Sequence, residues 1–358
     1  MSNFSRRDTL KMMTATLAAS AGFGALPLRA AGGGKITVLN WQGYGTDEKW
    51  SLEMFAKATG IEVVHDYFSS EAEMLTKLRT NPGAYDVVLL NAARVSQAAG
   101  EALLQPVDFT KVPNSANIDK AMLANPNFSV GGVGYAVPWV WGMTLIAARE
   151  GVAHPDSYAG LADPAYAGRF AMTDDATAAI AMGALATGQD MNDPKDLTKV
   201  TDMLKSLKPN IKLLWSSEDQ WNKSFAAGEF DVSVYWSGGA VRSKRIAKLP
   251  VEAVIPKEGA IAWVDGLAIT ATAPNVAGAE AFINWMIDPV FYVEWATKVG
   301  APASANAAAL AAMPADDLSI QVHKPSNLIS THVMSAMPDD RRETYNNLWQ
   351  EVKAFYAE

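Results

Sequence analysis

The chain has 358 residues, 49% of them hydrophobic, no cysteine and a formal charge of −8. This length and apolar content can bury a sizeable core divided over about two lobes. The absence of cysteine excludes disulfides, thiolate nucleophiles and cysteine-ligated metals, and the acidic balance disfavours nucleic acid and anionic lipid as partners.

Ser5-Arg6-Arg7-Asp8-Thr9-Leu10-Lys11 and the apolar, small-residue run to Leu28 predict a twin-arginine export signal over residues 1–31, cleaved near Ala30 or Ala31. The run is short for a membrane span. A mature protein in a bacterial periplasm is expected. Loss of the signal removes four basic residues and one acidic residue, leaving a formal charge of about −11 that mildly favours cations.

The mature chain opens with a strand-helix rhythm. Residues 35–41 (KITVLNW) predict a buried strand, and residues 46–59 a helix with Thr46 as N-cap, Gly60 at its end and Trp50, Met54 and Ala58 on one stripe. Residues 61–68 predict a second strand. Ser70 and Glu73 form a capping box for a helix to about Thr80, and residues 86–91 (DVVLLN) predict a third strand. Two consecutive strand-helix-strand units imply a parallel sheet with ligands beyond its carboxyl edge. Trp41 and Tyr44 follow the first strand, and Asn91 ends the third.

A short helix and a loop-rich stretch lead to Tyr135-Ala136-Val137-Pro138-Trp139-Val140-Trp141. Pro138 inside this apolar run predicts a strand that leaves one sheet for another, the first crossing between lobes. A second series follows: a strand over 169–173, helices over 174–187, 194–207 and 217–227, and a strand over 231–236. Asp193 is the expected N-cap of the second helix, with Pro194 at its first position. The strand ends present Asp174-Asp175 and Trp236. Residues 259–269 predict a further strand whose alternation puts Ile261, Trp263 and Asp265 on one face. A carboxylate on so apolar a segment needs a cationic or hydrogen-bonding partner, since burying it unpaired costs several kcal/mol. Helices over 277–286 and 341–356 complete the chain.

Leu39-Asn40-Trp41-Gln42-Gly43-Tyr44, Ala84-Tyr85-Asp86-Val87-Val88, Pro138-Trp139-Val140-Trp141-Gly142, Thr173-Asp174-Asp175, Trp236-Ser237-Gly238, Pro256-Lys257-Glu258-Gly259 and Trp263-Val264-Asp265 fall in the order seen in one family. From Lys35 to the C-terminus the chain resembles the periplasmic spermidine/putrescine-binding proteins of ABC importers. The resemblance implies an α/β, two-lobed periplasmic binding protein of type II, each lobe a mixed or parallel sheet flanked by helices and joined by hinge crossings. Its lobes are expected over 32–139 with 266–307, and over 140–265 with 308–358. It implies a small cationic amine as ligand, enclosed between the lobes of a monomer and delivered to an inner-membrane permease.

The ligand positions it implies are Trp41 and Tyr44 from the first lobe, and Asp175, Trp236, Trp263 and Asp265 from the second; Asn91, at the end of the third strand, is expected to add a hydrogen bond. An ammonium over an indole gains roughly 0.5–2 kcal/mol, and a carboxylate fixes it by charge-assisted hydrogen bonds. The chain departs from the family at Asn91 and Ala93, at Ala178 and at Gly239, where hydroxyl, aromatic or acidic residues are usual. These losses make a long, multiply charged polyamine a poorer candidate.

Two other readings stay open. The same fold could hold a zwitterionic ω-amino acid, with Arg94 or Arg242 taking its carboxylate. Asp175 and Asp265 could instead be the carboxyl pair of a carbohydrate-active hydrolase. No other catalytic arrangement assembles: His65, His154, His323 and His332 lack metal-ligand spacing, and no phosphate-binding loop or nucleophile elbow is present. No cofactor or metal is expected.

Overall fold

The computed structural model describes residues 33–323 and 331–358; the expected export signal lies outside the described residues. The chain begins with β1 (Gly34–Asn40), α1 (Lys49–Thr59), β2 (Ile61–Tyr67), α2 (Glu71–Thr80), β3 (Val87–Asn91) and α3 (Ala92–Gly100). β1 pairs in parallel with both β2 and β3, as helical crossovers require. Val87 to Leu90 are all buried, the unbroken apolar run of a strand covered on both faces.

Local signals fix most boundaries. Gly60 ends α1 at φ 72°, a left-handed cap that glycine adopts without strain. Ser70 accepts the Glu73 N–H at 3.1 Å, while the Glu73 carboxylate accepts from the N–H and hydroxyl of Ser69. The start of α1 differs from expectation. Thr46 is not its cap, because the Thr46 hydroxyl is buried and accepts from the Asn40 amide at 2.6 Å; the helix begins behind Glu48, with no side-chain cap. Its inward stripe is Ser51, Phe55 and Thr59 instead of Trp50, Met54 and Ala58, and Met54 is 40% exposed. Phe55 buries its ring against Phe282 and Trp285.

Next come β4 (Val137–Arg149), β5 (Phe170–Thr173), α4 (Ala176–Ala186), α5 (Leu197–Ser206), β6 (Ile211–Trp215), α6 (Glu218–Ala226), β7 (Val232–Trp236), α7 (Ser237–Arg245), β8 (Val251–Val254) and β9 (Ala260–Ile269). β6, α7 and β8 are absent from the sequence reading. β6 is a five-residue, half-buried strand at the end of the sheet path, too short for its pattern to stand out. α5 starts at Leu197, three residues later than expected. Asp196, not Asp193, caps it by accepting the Lys199 N–H at 2.9 Å, and Asp193 instead pairs with Lys195 and Arg341. The chain closes with α8 (Val276–Met286), α9 (Pro289–Lys298), β10 (Ala303–Ser304), α10 (Leu318–Val322), β11 (Thr331–Val333) and α11 (Asp339–Ala357).

Among the described residues, one sheet carries the order β2-β1-β3-β9-β4-β7-β5-β6, with β8 and β10 on β4 and β11 on β9. β5 runs parallel to β6 and β7, whereas β9 is antiparallel to β3 and β4. The strand carrying Pro138 therefore does not leave one sheet for another. β4 stays in a single sheet, and Pro138 is accommodated at a bulge where Gly266 faces Pro138 and Asp265 faces Val140. The extra residue is Trp139, whose indole N–H donates to the Met286 carbonyl at 3.0 Å. Along β4, Val137 to Met143 belong to a core shared with β1, β3 and α8, whereas Leu145 to Ala147 belong to cores built on α4, α6 and α11. One strand thus passes between two packed halves, and the strand bearing Trp263 and Asp265 lies beside it.

Candidate functional site

β9 places Asp265 opposite Asn91 of β3 on one side and Val140 of β4 on the other. The Asp265 carboxylate is 8% exposed. Its Oδ2 accepts the Tyr44 hydroxyl at 3.0 Å, and its Oδ1 accepts the Asn91 amide at 3.1 Å. Both donors are neutral. Burial, and next the negative charge of Glu71, push the Asp265 carboxyl up to about 7, against the lowering effect of the two hydrogen bonds. Burial and the Asp265 charge also raise the Tyr44 hydroxyl well above its ordinary value, so it remains a donor.

These neighbours are themselves held. Asn91 is the N-cap of α3, its Oδ1 accepting the Ala93 N–H at 3.0 Å; that orients its amide N–H₂ towards Asp265. Tyr44 meets Trp139 and Trp295 edge to face. The Trp263 ring lies against the Gly142 backbone: a Cβ on Gly142 would stand 2.4 Å from Trp263 Cζ2 and 3.0 Å from Ser237 Oγ. Trp263 stays half-buried, and its indole N–H has no acceptor among the described residues.

The other expected residues make no direct bond to Asp265 among the described contacts. Trp41 follows β1 and packs edge to face on Phe68, with centroids 4.5 Å apart. Trp236 ends β7 opposite Thr144, two positions along β4 from the Gly142 that faces Trp263, and packs against Trp215. Asp175 ends the β5 connection as the N-cap of α4, accepting the Ala178 N–H at 2.7 Å. Asp174 does not share that role, because it accepts from the Trp349 indole and from Lys353. Asp175 is exposed at the helix start, with the rest of the protein close around it. That surrounding raises its carboxyl, while the Ala178 N–H and the Arg94 charge hold it down. Gly239 could not carry an acidic side chain without displacement, since a Cβ there would lie 2.8 Å from Tyr235 Cζ.

Two ion pairs adjoin the site that sequence patterns did not reveal. Arg94 Nε donates to Glu71 at 2.6 Å, with side-chain exposures of 16% and 24%. Arg242 holds Glu218 by Nε at 2.8 Å and Nη2 at 2.5 Å, and its charge acts on Tyr44. Both arginines considered for a ligand carboxylate are therefore already engaged by glutamates. The signal for either pair is tertiary, because the partners are 23 and 24 residues apart. Ser237 and His323 also resemble a nucleophile–base pair at 2.8 Å. Ser237 is fully buried and accepts the Met143 N–H, so this contact is part of the packing. Among the described residues no group of three metal-ligating side chains occurs.

Indoles and one buried carboxylate stand at the strand ends of a two-lobed α/β fold, the architecture of a periplasmic solute-binding protein. Residues 50–321 match the bacterial extracellular solute-binding protein family. The spermidine/putrescine-binding periplasmic protein of Salmonella typhimurium is 33% identical over 311 residues, 85% of this chain and 87% of that protein. That of Escherichia coli is 34% identical over 257 residues, 70% of this chain and 72% of its own length. A putative spermidine/putrescine ABC transporter structure from Listeria monocytogenes superposes with a TM-score of 0.80 at 27% identity, covering 89% of this chain and 98% of that one. The chain belongs to the bacterial extracellular solute-binding family, among the periplasmic spermidine/putrescine-binding proteins.

Proposed function

We propose that this protein is the periplasmic receptor of an ABC uptake system for a small cationic amine, of the class of putrescine and spermidine, and that it works by lobe closure without chemistry. It is exported by its twin-arginine signal and acts as a monomer that presents the loaded form to an inner-membrane permease. The lobes comprise 32–139 with 266–307 and 140–265 with 308–358, hinged where β4 and β9 pass between cores. Asp265 receives one ammonium and Asp175 another, Trp41, Tyr44, Trp236 and Trp263 wall the methylene chain, and Asn91 adds a hydrogen bond.

One observation carries this reading. The buried Asp265 carboxylate is held by two neutral donors, and the charge that acts on it is the negative one of Glu71. A buried anion without a cation is costly, and an ammonium supplies what is missing. Aromatic walls add about 0.8 kcal/mol for each methylene they cover.

The test is a thermal-shift panel of putrescine, spermidine, γ-aminobutyrate and choline, followed by calorimetry on Asp265→Ala. A ligand at about 100 times its Kd stabilises by about 2.7 kcal/mol. Amine-specific stabilisation that disappears in a folded Asp265→Ala protein supports the assignment; unchanged affinity in that variant refutes it.

A further inference from the structure

Resting on the amine-binding reading, we infer that Arg94 is a specificity-determining residue, a built-in cation that limits the ligand to two positive charges and so selects a diamine over a triamine. Arg94 lies on α3, three residues beyond Asn91, so both project from the same side of the helix start. Its guanidinium is bonded to Glu71 at 2.6 Å in a pair that is mostly buried. Glu71 acts electrostatically on Asp265, and Arg94 acts on Asp175. The Arg94–Glu71 pair therefore stands within electrostatic reach of both Asp265 and Asp175. Arg242 neutralises Glu218 beside Tyr44 in the same way.

With both glutamates matched by arginines, Asp265 and Asp175 are left without a direct ion pair among the described residues. A diamine neutralises both. A third ammonium would find the carboxylate nearest to hand already engaged by a guanidinium, so it would lose its water without gaining an anionic partner. Specificity here arises from a carboxylate withheld by its own arginine as well as from attraction.

The experiment compares putrescine with spermidine by calorimetry on the mature protein, on Arg94→Gln and on Arg94→Lys. The native protein is expected to bind putrescine at least about tenfold more tightly than spermidine. Arg94→Gln, which keeps a donor to Glu71 but removes the charge, should narrow or reverse that ratio, and Arg94→Lys should retain it. Equal or tighter spermidine binding by the native protein overturns the inference. So does a parallel loss of both affinities in Arg94→Gln, which would mark a merely structural role. If neither amine binds the native protein, it is the amine reading itself that fails.

Discussion

Tyr44 and Asp265, 221 residues apart in the chain, meet in a 3.0 Å hydrogen bond that fixes one oxygen of a buried carboxylate. The hydroxyl is a neutral donor, so it orients the carboxylate without cancelling its charge. Tyr44→Phe should therefore leave the fold intact and weaken amine binding by about 10- to 100-fold, the range for a hydrogen bond to a charged group. Isothermal calorimetry alongside a melting curve checks this; a melting loss without an affinity loss would contradict it.

Amine binding should also be linked to a proton. The free protein's Asp265 carboxyl titrates at about 7, whereas an ammonium requires the carboxylate. Affinity is expected to fall by up to about tenfold per pH unit below 7 and to level off above it. Calorimetry in buffers of different ionisation enthalpy should detect proton release at pH 6 that is absent in Asp265→Asn.

The same group shapes stability in the opposite direction. A carboxyl raised from its ordinary 3.8 to about 7 favours the folded state fully below pH 3.8, and this contribution is lost as pH rises through 7. The difference is on the order of a few kcal/mol. Asp265→Asn should thus make the ligand-free protein more stable than the native chain at pH 8, with the gain shrinking towards pH 4. Denaturant titrations across that range measure it.

His323 supplies the contrary slope. Burial lowers its imidazole to about 4, with Nδ1 on the Ser319 carbonyl and Nε2 on the Ser237 hydroxyl. The contacts suit the neutral ring: Nδ1–H donates to the carbonyl, and the hydroxyl donates to Nε2. The unfolded chain takes up a proton between pH 6.5 and 4, so this group's contribution is present above 6.5 and lost as pH falls through 4. His323→Gln should flatten acid destabilisation in that window, at some cost at neutral pH; an unchanged acid limb in urea titrations would show that His323 is not its source.

Gly142 is the backbone floor beneath Trp263. Gly142→Ala would force its new methyl against the indole at 2.4 and 2.7 Å. We expect a stability loss of roughly 1–3 kcal/mol together with a shift of tryptophan fluorescence and weaker amine binding. Binding and fluorescence unchanged from the native protein would remove Trp263 from the ligand wall.

The strands and helices legible in the sequence were those with local causes. Alternation and unbroken apolar runs mark β1, β3 and β9, while Ser70, Ser217 and Gly60 mark helix ends by side-chain or backbone chemistry that acts within a few residues. The same reasoning placed the strand ends that carry Trp41, Asn91, Asp175 and Trp236. Where two local chemistries competed, it chose wrongly. Thr46 and Asp193 are sound caps in isolation, but Asn40 and Arg341 claim their side chains from distant positions.

By itself, then, the sequence determined the strand-helix order, the family to which the chain belongs and which aromatic and acidic residues stand at strand ends, because these follow from neighbours a few positions apart. Only the tertiary structure decided what each of those residues faces. It threads β4 and β9 as one ladder through two cores, spends Pro138 on a bulge, gives Asp265 two neutral donors, and pairs Arg94 with Glu71 and Arg242 with Glu218. Charge pairing and desolvation depend on distance in space, and no spacing along the chain encodes them.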